Sequence, residues 1–195
     1  MNHLAHAHLA ARGSPSYRAG SVLGDFVKGV IDTAQWPDEL AHGLRFHRRI
    51  DGFTDRHAIT LECRERFPAS WRRLAGPALD VIWDHFLSRQ WDDWHTQPLP
   101  DFSQHTCVNL LPFLPALPAR ANAFCHWLWQ ERILESYQST AGVEQALALM
   151  VHRLPHSAGI APVTRGWLEE HHDWLETRFR LLYADTLATA QQSTL

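Results

Sequence analysis

Asp84 and His85 stand side by side in DVIWDHFLSRQW, residues 80–91. Ile82, Trp83, Phe86, Leu87 and Trp91 spread apolar side chains around most of a helix there, the mark of a buried helix. A carboxylate left unpaired in such a place costs several kcal/mol, so Asp84 requires compensation. Three other clusters offer partners. In HLAHAHL, His3 and His6 share a helical face, whereas His6 and His8 would share a strand face. In SVLGDFVKG, Asp25 sits between Leu23 and Phe26 and either needs a partner or caps the turn after Gly24. In FHRRIDGFTD, His47, Asp51 and Asp55 follow one another at i, i+4, one stripe of a helix. An exposed row paired with Arg48 and Arg49 is the plain alternative there, and a buried His–Asp pair is the plain alternative for Asp84 and His85. Two carboxylates and an imidazole on one stripe are otherwise stable only with a cation between them. Asp25, His47, Asp84 and His85 are therefore expected to converge as metal ligands from separate helices of a bundle. Oxygen and imidazole donors without thiolate suit manganese, magnesium, iron or zinc rather than copper(I). Water activated by such a metal makes a side-chain nucleophile unnecessary. The chain carries no GxSxG elbow, P-loop or GxGxxG to support a rival chemistry.

The elements that must position these residues are helical, because period-2 alternation is scarce and helical spacing common. Helix is expected over Ser16–Gly29, then from Pro37 through AITLECRERF with a bend at Gly52, and across the buried stretch containing Asp84. QPLPDF reads as a loop, and the helix from Phe102 meets Pro112, Pro115 and Pro118. Further helices are expected at about Asn122–Tyr137 and Gly142–Arg153, then a loop, LPHSAGIAPV, and one long helix over Thr164–Thr189. The expectation is a single-domain all-α helical bundle over 1–195, with 190–195 a frayed tail. At 195 residues the chain can bury a substantial core.

Nine Trp and fourteen His are distinctive, the first as core and the second as ligands or bases. Three scattered cysteines form no CxxC pair and suit a reducing compartment. MNHLAHAHLA lacks the features of a signal peptide, and no run of eighteen apolar residues occurs, so a cytoplasmic protein without membrane contact is expected. A net charge of -3 argues against nucleic acid as partner. Within Arg45–Arg73, however, eight arginines face four acids, and Lys28 is the only lysine of the chain. This excess is either a solvated helix face or a docking surface for an acidic or phosphorylated partner.

MNHLAHAHLA, GSVLGDFVKG, FHRRIDGFTD and LDVIWDHFLSRQW, in this order and spacing, resemble the acyl carrier protein phosphodiesterases, with a weaker likeness in WLEEHHDWLETRF. That family looks like an atypical branch of the HD-type metal-dependent phosphohydrolases, although Asp84-His85 reverses the usual His-Asp order. The resemblance implies hydrolysis of 4'-phosphopantetheine from holo-acyl carrier protein, with Mn²⁺ as the expected metal and Mg²⁺ or Fe²⁺ as substitutes. It makes Asp25, His47, Asp84 and His85 the expected ligands. Asp51 is then a further ligand or the base that orients water, His6 a partner of that group or a general acid, and Arg48 or Arg49 the phosphate contact, with Asp55 holding an arginine in place. Carrier proteins of this type are acidic, which suits the arginine excess. A small nucleotide or other phosphodiester as substrate, and a non-catalytic helical module for an acidic partner, are the competing readings.

Overall fold

The computed structural model describes residues 1–32, 34–150 and 157–192. Among these the regular structure is all helical. The N-terminal histidines fall on a helix, α1 (His3–Leu9), and α2 (Pro15–Leu23) comes next with Ser14 as its cap, the Ser14 hydroxyl accepting from the Tyr17 N–H at 3.2 Å. The helix expected to continue to Gly29 stops earlier: a 3-10 turn over Gly24–Phe26 leads into extended backbone at Val27.

Pro37 precedes α3 (Asp38–Arg56), whose first turn carries Asp38 and Glu39, favourable next to the partial positive charge of a helix start. The break falls at His57 rather than at Gly52. His57 is extended, ends α3, and starts α4 (Ala58–Arg66) by accepting the Ile59 N–H on Nδ1. Helix α5 (Ala75–Arg89) is the buried helix that carries Asp84, with Val81, Ile82, Asp84, His85, Phe86 and Leu87 all fully buried. After α6 (Trp91–Trp94), α7 (Leu99–Leu110) takes Pro100 into its first turn, where a missing N–H is tolerated, so part of QPLPDF is helical. Beyond Leu110, the prolines at 112 and 115 turn the chain from α-helix into a 3-10 turn over Leu111–Ala116.

The helix expected to run to Tyr137 divides into α8 (Ala119–Gln130) and α9 (Ile133–Ser136), because Arg132 adopts a left-handed conformation, φ 47°. Helix α10 (Thr140–Met150) ends the second described segment, and the expected end at Arg153 lies outside the described residues. The long C-terminal helix is two, α11 (Ile160–Glu170) and α12 (His172–Gln191), separated at His171. Of the expected tail, residues 193–195 lie outside the described residues.

The packing that matters most for function joins α2 to α3. Gly20 faces the Leu40 carbonyl and Gly43 faces the Tyr17 carbonyl, so a methyl group at either position would collide with the neighbouring backbone. Only glycine allows two helices to lie this close. Around this seam, Leu4, Ala19, Val22, Leu44 and Ile50 meet Leu79 and Trp83 of α5 in one apolar core. No helix among the described residues is long and apolar enough to cross a membrane.

Candidate functional site

Asp51 is the hub. One of its oxygens lies 2.9 Å from His6 Nε2 and the other 3.0 Å from His47 Nε2. His47 reaches it from one turn earlier on α3, as the i, i+4 spacing predicts. His6 reaches it from α1, whose position is set by the Ser21 hydroxyl donating to the His6 carbonyl at 2.9 Å. Asp25 approaches from the 3-10 turn, 3.6 Å from the same His47 Nε2. Gly24 makes this possible, because a Cβ there would overlap the His47 ring. His6, His47 and Asp51 offer ligand atoms within 4.8 Å of one another, with His6 and His47 buried and Asp51 about one-third exposed at 34%.

The tautomers are fixed by the hydrogen bonds. His47 Nδ1 donates to the Ser21 carbonyl at 2.8 Å, so Nε2 is the nitrogen turned to the two carboxylates. A bare lone pair facing two anions would be repelled, so either a proton or a cation belongs at Nε2. Without a metal it is a proton: burial pulls the imidazole down, but the bonds and charges of Asp25 and Asp51 prevail and lift it to about 9. The carboxyls respond in kind. Burial pushes Asp51 up, yet His6 and His47 hold it well below the usual carboxylate range, and His47 does the same for Asp25. His6 goes the other way, lowered to about 4 by burial and by the charge of His47. It is thus neutral, with Nε2–H donated to Asp51 and Nδ1 buried without a partner among the described residues.

This donor set fits a divalent cation. His6, His47 and Asp51 are the described residues whose ligand atoms converge there, with Asp25 3.6 Å from His47 Nε2 at the edge of the group. The His47 imidazole is oriented by a backbone carbonyl in the manner of metal-binding histidines, and a cation at its Nε2 removes the repulsion a proton otherwise relieves. A second group, His172, Asp173 and Glu176, does not fit: His172 Nε2 already faces an Arg89 N–H at 3.0 Å and Nδ1 lies 3.1 Å from Asp173, so no free lone pair is presented.

The structure does not bring Asp84 and His85 into the His6–His47–Asp51 group. Asp84 is compensated by backbone instead: its two oxygens accept the Leu4 and Ala5 N–H groups at 2.7 and 3.0 Å, capping the start of α1 from another helix. Burial outweighs those two bonds and raises its carboxyl to about 7. His85 Nδ1 bonds the Tyr137 carbonyl at 2.7 Å, while Nε2 is buried with no partner among the described residues, and burial lowers the ring to about 4. Asp80, one turn before Asp84, pairs with the Met1 amino group at 2.6 Å, and that group lies 3.8 Å from Asp51.

Beside Asp25, His47 and Asp51 opens a cleft of about 320 Å³ whose other walls include Val27, Lys28, Gly29 and Arg48. Arg48 donates to the carbonyls of Val27 and Gly29 at 2.8 and 2.7 Å, so it holds the cleft wall in shape. Arg49 does not line this cleft. Lys28, exposed on that wall, is not among the expected site residues; its being the only lysine, beside a glycine of φ +76°, is the signal that points to it. Much of the arginine run is tied to the chain itself: Arg45 to the Ile31 carbonyl, Arg64 to Asp55 at 2.7 Å, Arg66 to Glu62 and Arg72 to the Glu65 carbonyl. Asp55 does hold an arginine, namely Arg64. The three cysteines are buried and unpaired.

Comparison with known proteins gives the family. The profile described as acyl carrier protein phosphodiesterase matches residues 1–186. An acyl carrier protein phosphodiesterase of Yersinia pestis is 40% identical over 192 residues, covering 98% of each chain. Proteins of the same name from Klebsiella pneumoniae subsp. pneumoniae and Escherichia coli are 36% and 37% identical over 198 residues, covering 100% of each chain. No solved structure matches this chain. An all-α frame with its histidines and carboxylates gathered in the motif segments, and full-length likeness to these relatives, have one conclusion: the chain belongs to the acyl carrier protein phosphodiesterase family.

Proposed function

We propose that this protein hydrolyses the phosphodiester between 4'-phosphopantetheine and the serine of holo-acyl carrier protein, using a divalent cation held by His47, Asp51 and Asp25. The observation that carries the reading is His47: with Nδ1–H spent on the Ser21 carbonyl, Nε2 faces two carboxylates. Family membership supplies the substrate class. Manganese suits the oxygen-rich donor set, as do magnesium and iron. When bound, the cation supplies positive charge to the phosphoryl oxygens and acidity to a coordinated water.

The chain's own residues divide the remaining work. Lys28 and Arg48, on the cleft wall, meet the phosphoryl oxygens, and Arg48 is held in place by the carbonyls it bonds. Asp51 would help hold the cation and orient the attacking water. His6, neutral and buried, fixes Asp51 in that attitude. Water adds its oxygen to phosphorus, the bond to the serine oxygen breaks, and a proton given up by the water ends on that oxygen, so that apo-acyl carrier protein and 4'-phosphopantetheine are the products. Arg45, Arg49 and Arg56, exposed along one stripe of α3, suit an acidic carrier surface. The same reading puts the enzyme in the cytoplasm and joins it to the HD-type hydrolases through the metal site rather than through Asp84-His85.

The test is incubation of holo-acyl carrier protein with the protein and Mn²⁺, with and without chelator, read by intact-protein mass. Loss of the phosphopantetheine mass only with metal supports the reading. A folded protein that never removes it, while cleaving a small diester such as bis(p-nitrophenyl) phosphate, would redirect the substrate to small phosphodiesters.

A further inference from the structure

Asp25 also lines a second cavity, of about 180 Å³. That is more than roughly ten times the space one water needs. The two spaces have Asp25 in common, so they adjoin at that residue. The cavity is walled by Phe26, Phe124, Trp127 and Leu149 on its apolar sides, and by Asn2 and Tyr137 on its polar side. Two small residues, Ala123 of α8 and Ala146 of α10, also line it.

The polar side has a particular chemistry. Asn2 Nδ2 donates to the Tyr137 hydroxyl at 2.8 Å, and both residues are more than nine-tenths buried. Among the described residues no further hydrogen bond engages the Tyr137 O–H proton or the Asn2 side-chain carbonyl, which leaves one donor beside one acceptor for an occupant. That pair is complementary to a secondary amide. A phosphate site adjoining an apolar cavity with an amide-matching pair suits a phosphate-linked chain that alternates aliphatic and amide segments.

We propose that this cavity receives the pantetheine arm of the carrier protein, with an arm amide on Asn2 and Tyr137 and the distal thiol end toward Trp127 and Leu149. The proposal rests on the phosphodiesterase reading and extends it from the reacting phosphate to the recognition of the arm. It implies that the enzyme selects its phosphodiester by the group that leaves with the phosphate, as well as by the protein surface.

Two variants test it. Ala123→Trp and Leu149→Trp change exposed positions of its lining on α8 and α10, so the fold tolerates them, which melting curves would verify. Each is compared with the wild type on holo-acyl carrier protein and on bis(p-nitrophenyl) phosphate, which has no arm. The ratio of kcat/KM for holo-carrier to that for the small diester is expected to fall by about tenfold or more in both variants, mainly through KM. In addition, free pantetheine should compete with holo-carrier for the wild type and lose that effect in Ala123→Trp. An unchanged ratio together with no competition by pantetheine would overturn the cavity assignment while leaving the phosphodiesterase reading intact. A wild type that cleaves the small diester but never holo-carrier would remove the phosphodiesterase reading itself, and the arm assignment with it.

Discussion

His6 and His47 stack with ring centroids 3.9 Å apart and planes 24° from parallel, while their Nε2 atoms go to different oxygens of Asp51. Two imidazolium rings cannot share that space, and burial decides which stays neutral: His6 is the one held near 4. Asp51 is thus shared between a charged and a neutral partner. Asp51→Asn keeps the shape and removes the charge. Hydrolysis of holo-carrier should drop by about 10²–10⁴-fold, and His6→Ala, which only frees Asp51 to rotate, by about 10–100-fold. Single-turnover mass measurements on both variants check this order. A His6 effect equal to that of Asp51 would make His6 a direct participant.

Proton and metal compete for His47 Nε2, so affinity should depend on pH. With a folded-state value of about 9, one proton is displaced per ion bound near neutrality. The apparent Kd for Mn²⁺ should fall by about tenfold per pH unit from 7 to 9. Titration calorimetry of chelator-stripped protein at several pH values would show it, and a flat profile would exclude His47 as a ligand. Stability of the stripped protein moves oppositely. The folded value is raised above 6.5, so the stabilisation is complete below 6.5 and is lost as pH climbs through 9. The loss is on the order of 3 kcal/mol.

Gly24 gives a test of positioning without touching a ligand. The methyl of Gly24→Ala would have to displace the His47 ring. Metal affinity and turnover should both fall by about tenfold or more, with helix content unchanged by circular dichroism. Gly29→Ala, where nothing lies within 4 Å but φ is +76°, should cost stability of only about 1 kcal/mol.

Asp84 separates a structural role from a metal-binding one. Asp84→Ala leaves the Leu4 and Ala5 N–H groups buried without acceptors, which costs about 2–4 kcal/mol. The melting temperature should fall by roughly 5–15 °C, with metal stoichiometry in the folded fraction preserved. Loss of metal with an unchanged melting temperature would return Asp84 to the ligand set.

What the sequence disclosed about the site was whatever lies within one turn of helix. His47 and Asp51 declare themselves by spacing, and Asp25 by its apolar neighbours. The partner of Asp84 does not, since backbone N–H groups about eighty positions away leave no mark in residue types. His6 was legible only as one of several histidines on a segment that read equally as helix or strand. Arg48 reads as a phosphate contact by its charge, but the Val27 and Gly29 carbonyls that hold its guanidinium on the cleft wall leave no mark in residue types. The all-α character was evident throughout, but the breaks at His57 and His171 were not, because neither residue is a helix breaker by propensity.

The contact of Gly20 and Gly43 has a consequence for the order in which the molecule comes apart. Where two backbones meet without intervening side chains, neither helix can open without separating along its whole length. The amides of α2 and α3 near this seam should be among the slowest to exchange with deuterium, at rates set by global unfolding. Ser21, Asp25, His47 and Asp51 hang on that seam or within a turn or two of it. The reacting groups would then be among the last to lose their mutual arrangement, after the helices that wall the second cavity have begun to part.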